Sequence, residues 1–173
     1  AGAVTTIADY AILLDMTTGR VLFEKNSDVQ MQPASMSKMM TVYMLFEQLR
    51  DGSLTKDDTF TVSVNAWRKG GAKSGSSTMF LEPGKRVRVE DLIRGIVVQS
   101  GNDACIGVAE GLASSEQAFA EEMTARAREL GMKNSVFKNA TGWPAPGHLS
   151  TARDMALLAE RTIRDFPEYY SYY

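Results

Sequence analysis

Ser35 and Lys38 are the residues of this chain whose types and spacing best suggest chemistry. They stand three apart in Pro33-Ala34-Ser35-Met36-Ser37-Lys38-Met39-Met40-Thr41, and nine of the fourteen residues from Met36 to Leu49 are apolar. Such a run predicts a buried helix to about Leu49. A spacing of three puts both side chains on one face of its first turn. A serine hydroxyl becomes a nucleophile when a neighbouring base takes its proton. Lysine serves as that base when burial disfavours its charged form. The free N–H groups and dipole of a helix start favour the negative charge that follows attack. The plainer reading is a capping serine and a lysine that reaches back to solvent.

Spacing alone does not choose between them. Ser-x-x-Lys arises roughly once by chance in a chain this long, and here it occurs three times. Ser53 and Lys56 lie in a polar turn, Asp-Gly-Ser-Leu-Thr-Lys-Asp-Asp, where both would be solvated. Ser135 and Lys138 lie in an extended stretch, where an offset of three sends them to opposite faces. Only Ser35 and Lys38 combine helical spacing with expected burial.

A second cluster is Ser100-Gly101-Asn102, in a bend between two apolar helices. Gly101 is expected to give the bend its freedom. Ser100 can relay a proton between a lysine and a leaving group, and Asn102 can bond a substrate amide with donor and acceptor together. The plainer reading is a helix C-cap followed by an N-cap. Ser63-Val64-Asn65 repeats the letters but falls on the polar face of an expected strand.

The elements that must hold these residues fit one globular domain. The chain has 173 residues, 44% hydrophobic and 23% charged, which is enough for a core. Net charge is −2 with the signs interspersed, so nothing points to nucleic acid or a charged membrane surface. No apolar run is long enough to span a bilayer. The lone Cys105 excludes an internal disulfide and reads as buried and inert.

Tyr10–Asp15 and Val21–Glu24 read as a hairpin turning at Gly19. Thr59–Val64 reads as a strand, and Trp67–Ser77 as a mobile Gly/Ser/Lys loop. Helices are expected from Glu90 to about Gln99, from Ala104 to about Leu112, from a Ser114-x-x-Gln117 capping box to Leu130, and from Thr151-x-x-Asp154 to about Arg164. Tyr169, Tyr170, Tyr172 and Tyr173 would make an exposed, sticky tail. They are expected to be covered, or to belong to something that continues.

Ser-x-x-Lys at the start of a buried helix, followed by Ser-x-Asn at a helix-helix bend, resembles the serine penicillin-interacting enzymes. Residues 33–41, Gly-Ser-Ser-Thr-Met-Phe-Leu-Glu-Pro-Gly (75–84), Leu-Ile-Arg-Gly-Ile-Val-Val-Gln-Ser-Gly-Asn-Asp-Ala (92–104) and Ser-Thr-Ala-Arg-Asp-Met-Ala (150–156) are similar to the D-alanyl-D-alanine carboxypeptidases, the low-molecular-mass penicillin-binding proteins. The resemblance runs from about Asp9 to Tyr170. It implies an α+β fold of the serine β-lactamase/DD-peptidase type, here an N-terminal hairpin plus a helical lobe. It implies that Ser35 is the acylated nucleophile and Lys38 its base, with Ser100 and Asn102 supporting. The implied reaction removes the terminal D-alanine of the peptidoglycan stem pentapeptide, and penicillin acylates the same serine. No cofactor or metal is implied. The implied location is the periplasm, peripheral to the inner membrane.

The chain departs from that pattern in one respect. The family's third element, Lys-[Ser/Thr]-Gly on a strand after Ser-x-Asn, has no counterpart. Lys73-Ser74-Gly75 fits the letters but precedes Ser-x-Asn, in the Gly/Ser-rich loop. The last three strands of the family's sheet and its C-terminal amphipathic anchor are missing too. Residues 1–173 are therefore expected to be part of a transpeptidase-like domain, with a second chain or segment supplying those strands.

Two alternatives stay open. One is a β-lactamase. It is disfavoured because no glutamate here has asparagine four residues on, the pair that holds the deacylating water in class A. The other is a non-catalytic penicillin-binding sensor or scaffold. His148, in Pro146-Gly147-His148-Leu149, reads as a loop residue with no carboxylate-serine arrangement around it, so a Ser-His-Asp triad is not expected.

Overall fold

The computed structural model describes residues 3–173. Two antiparallel ribbons flank a lobe of helices. The first ribbon pairs β1 (Ala11–Leu14) with β2 (Val21–Lys25), in register Ile12 to Glu24 and Leu13 to Phe23. Gly19 turns the hairpin at φ +73°, a conformation that only glycine adopts without strain. The ribbon packs on α6 (Ala152–Asp165), and Leu13 and Leu22 are about half exposed.

The turn Ala34–Ser37 leads into α1 (Lys38–Asp51), which ends at Gly52 in the left-handed region. Met40, Val42, Tyr43, Leu45 and Phe46 are fully buried. Their cover comes from α3 (Val89–Gln99), α4 (Asn102–Leu112), α5 (Glu116–Leu130) and α6. The burial of α1 thus rests on the helical lobe and not on the first ribbon. Fully burying one such side chain contributes about 1.5–3 kcal/mol, so this helix anchors the domain.

Between α1 and α3 the chain departs from expectation. The strand stops early, as β3 (Thr59–Thr61), and pairs with β4 (Arg86–Arg88). Ser63 then caps a short helix, α2 (Val64–Gly70), by accepting from Ala66 N–H at 2.9 Å. Ser63-Val64-Asn65 therefore opens a helix, and only the stretch from Gly71 onward is the expected loop. The alternation of Phe60, Val62 and Val64 suggested a longer strand, but the serine cap overrides it.

The N-cap of α5 is Ser115, accepting from Ala118 N–H at 3.0 Å, one residue beyond the expected Ser114. Thr151 caps α6 as expected, and Gly131 closes α5 at φ +100°. Among the tyrosines near residue 170, Tyr169 packs on Phe46 at 5.2 Å between ring centroids, and Tyr172 donates to Glu90 at 3.0 Å. Tyr170 and Tyr173 stay partly exposed.

Candidate active site

Ser35 sits in the 3-10 turn ahead of α1, one step earlier than the expected α-helical turn, and is exposed. Lys38, the first residue of α1, is 7% exposed. Its ammonium donates to Ser100 Oγ at 2.8 Å. Ser35, Lys38 and Ser100 line one small cavity of about 140 Å³, closed on the apolar side by Met39, Val42 and Ile96. The structure thus brings Ser100 of the second motif to Ser35 and Lys38 across more than sixty residues of sequence.

Burial holds the Lys38 pKa below the usual lysine value. Cys105 is itself fully buried, and burial pushes its thiol up to about 12, which leaves it protonated and inert.

Both serines belong to strained backbone. Ala34, just before Ser35, has φ +51°, and Ser100 has φ +53°. Non-glycine residues in the left-handed region cost on the order of 1–3 kcal/mol each and cluster where geometry is needed for function. Here the sequence reading needs correction. Gly101 was expected to supply the bend, yet it has φ −66° and Ser100 takes the left-handed position. Space at 101 is tight instead: a Cβ there would lie 3.2 Å from Asp103 Oδ1 and from the Gly95 carbonyl. The expected free N–H groups at the serine turn are also partly used, since Met36 N–H donates to the Pro33 carbonyl at 3.2 Å.

Asn102 opens α4 and is 3% exposed. Its backbone N–H donates to Ser77 O at 2.9 Å, and its side-chain oxygen has no partner among the described residues. A buried acceptor left unpaired costs about 1–3 kcal/mol, but this oxygen is closed off from solvent and Asn102 is not among the residues that line the Ser35–Lys38–Ser100 cavity.

The neighbouring Asp103 had not been singled out. It is fully buried, and its carboxylate accepts from Thr78 Oγ1 (2.7 Å) and from the N–H groups of Met79 (3.0 Å), Leu81 (2.9 Å) and Ala104 (2.9 Å). It pins residues 78–81 to the start of α4. On the other side Gly70 of α2 presses on the Asn102–Asp103 backbone so closely that a Cβ would collide with it. No pattern in the sequence marks either contact, because both are long-range.

The look-alike motifs stand apart. Ser53 bonds Asp51, Lys56 lies over the Tyr169 and Tyr172 rings, and Ser135 bonds Ser150 and Asp154. Lys73 lies 5.6 Å from the centroid of the Trp67 ring, in a 3-10 turn and not on a strand. His148 is not the simple loop residue expected. It is 1% exposed, and its Nε2 lies 2.8 Å from Ser37 Oγ.

Comparison with known proteins places this arrangement. The family model described as D-alanyl-D-alanine carboxypeptidase matches residues 1–173. The chain is 45% identical to D-alanyl-D-alanine carboxypeptidase DacC of Escherichia coli (strain K12) over 161 residues, 92% of this chain and 40% of that protein. Its fold superposes on D-alanyl-D-alanine carboxypeptidase DacD from Francisella tularensis with TM-score 0.92, at 39% identity, over 98% of this chain and 40% of that one. For penicillin binding protein 5 from Haemophilus influenzae the TM-score is 0.94, at 36% identity, over the whole of this chain and 50% of that one. The chain therefore spans about two-fifths of the length of the curated relatives it matches.

Proposed function

The chain belongs to the D-alanyl-D-alanine carboxypeptidase family, and from that premise we propose that its site is the acyl-transfer centre of a serine DD-carboxypeptidase. The substrate is the D-Ala-D-Ala end of a peptidoglycan stem peptide, and β-lactams acylate the same serine. The observation that carries this reading is the Lys38–Ser100 hydrogen bond at 2.8 Å beside the exposed Ser35.

Each group has work that suits its surroundings. Ser35 attacks the carbonyl of the penultimate D-alanine, and its proton passes to Lys38. Burial makes the neutral amine accessible. Ser100, held by the lysine, hands a proton to the departing D-alanine nitrogen, so the C–N bond breaks as the Ser35 ester forms. Asn102 takes the supporting, amide-binding role in this reading, which requires its buried, unpartnered oxygen to be uncovered as the peptide binds. Water then hydrolyses the ester with the same groups in reverse order.

Residues 1–173 serve as part of a transpeptidase-like domain in this reading. A further segment or chain supplies the strand that binds the substrate carboxylate. The span of two-fifths of the relatives' length and the half-exposed Leu13 and Leu22 of the first ribbon support that arrangement. The cell envelope, on the periplasmic side, is where such a substrate is met. Among the described residues no helix is long and apolar enough to cross a membrane.

The test is release of D-alanine from a peptide ending in D-Ala-D-Ala. Ser35→Ala should abolish it with the fold unchanged. Release that survives this substitution would show that another group carries the reaction.

A further inference from the structure

The segment 136–150 backs the turn that carries Ser35 and Lys38, and it does so at four places. Met31 and Ser150 exchange backbone hydrogen bonds of 2.8 and 2.9 Å. Thr41 Oγ1 donates to the Ala140 carbonyl at 2.8 Å. Gly142, at φ +86°, lies so close to the strained Ala34 that a Cβ would strike its carbonyl. Finally, His148 reaches Ser37, the residue just before Lys38, and both side chains are buried.

The ring's second nitrogen settles its protonation. Lys138 N–H donates to His148 Nδ1 at 2.9 Å, so Nδ1 carries no proton. The neutral ring then has its proton on Nε2 and donates it to Ser37 Oγ, 2.8 Å away. An imidazolium would turn a second N–H against the backbone N–H of Lys138, which cannot rotate away.

We propose that His148 is a positioning residue for the acyl-transfer centre: as the neutral Nε2–H tautomer it fixes, through Ser37, the turn that presents Ser35 and Lys38. This inference rests on the reading of Ser35 as nucleophile. Protonation of the ring breaks the Lys138 bond and loosens the turn, so acylation has a pH dependence of its own on the acid side.

Among the described residues no ionic partner holds the ring charged. Phe137 meets it edge-on at 5.7 Å between centroids. Lys138 faces it with backbone, while its side chain passes Gly147 toward the cleft shared with Glu116. Lys38 turns to Ser100, and Asp154 of α6 is taken up by Asn134 N–H and Ser135 Oγ. Burial alone lowers the ring's pKa.

The experiment measures the acylation rate with a fluorescent penicillin in the intact protein, from about pH 5 to pH 8, the range in which histidine titrates. Wild type, His148→Gln and His148→Ala are compared. Glutamine keeps an N–H for Ser37 and an acceptor for Lys138 but does not titrate. His148→Gln should acylate close to the wild-type rate at neutral pH and outpace it as pH falls. His148→Ala, if folded, should be about tenfold to a hundredfold slower. A wild-type to His148→Gln ratio that stays constant over the whole range would overturn the proposal, as would a folded His148→Ala of wild-type rate. Imidazole ¹⁵N spectra give a readout free of activity: Nδ1 unprotonated is the expected result, and the opposite tautomer contradicts it. Absence of acylation in wild type at every pH would sink the nucleophile assignment and leave the ¹⁵N result to decide the clamp.

Discussion

In the proposed reaction Lys38 has two demands to meet: burial enough to lose its proton and nearness to Ser35. Its 7% exposure and lowered pKa suit the first, and the cavity it shares with Ser35 suits the second. A protonated lysine cannot accept the serine proton, so acylation should rise as pH rises through the Lys38 pKa. Lys38→Arg should lose the reaction, because guanidinium does not deprotonate. Loss of a general base typically costs 10²–10⁴-fold, about the drop expected for Lys38→Met in a stopped-flow acylation assay. A rate within a few-fold of wild type in either variant would remove lysine from the base role.

His148 adds a stability term with a defined sign. The folded state keeps the ring neutral, while the unfolded chain titrates near the ordinary value of 6.5. Its contribution is therefore full above that pH and is lost as pH falls through the depressed folded-state value. Thermal unfolding of wild type and His148→Gln should diverge only on that acid side. These residue-scale facts were partly visible in the sequence. Ser35, Lys38, Ser100 and Asn102 could be picked out because their spacings are local. Asp103, Gly70 and the His148–Ser37 pair could not, because each takes its meaning from residues more than 20 positions away.

At the scale of elements, α4 is the part on which the site turns. Asp103 clamps the 78–81 stretch and Gly70 supports the backbone from behind. Asp103→Asn replaces one acceptor oxygen with a donor facing N–H groups, a change worth about 1–3 kcal/mol. Urea unfolding should show that loss together with slower acylation, since Asn102 moves with its neighbour. Gly142→Ala should be destabilising as well, because it combines a left-handed φ with a collision at the Ala34 carbonyl. An unchanged unfolding midpoint would mean that the loop yields easily and does not hold the turn. Caps explain which elements were legible. Thr151 and Gly131 mark helix ends by local hydrogen bonding, and both stand where expected. The α2 helix was missed because its Gly, Ser and Lys neighbours resemble a loop, and its packing against α4 is what the sequence does not display.

For the molecule as a whole, the helical lobe and the first ribbon differ in how they are held. Helix α1 is enclosed by four helices, whereas β1–β2 packs on α6 and leaves Leu13 and Leu22 half exposed. A two-stranded ribbon is marginal alone. Hydrogen exchange should therefore be slowest in α1 and α4 and fastest in residues 11–25. Equal protection of the two regions would contradict this picture. The helices of the lobe were foreseen from their apolar stretches, and their assembly into a lobe from the family resemblance. That it encloses α1 without help from the ribbon was not, because burial of one helix by four others is a property of the assembled fold.

The most direct test of the central claim is the denatured mass of the protein before and after benzylpenicillin, with the modified peptide mapped. We expect a gain of one drug mass on the peptide holding Ser35, absent in Ser35→Ala. Modification at any other residue, or a gain that persists in Ser35→Ala, would contradict the assignment of Ser35 as nucleophile.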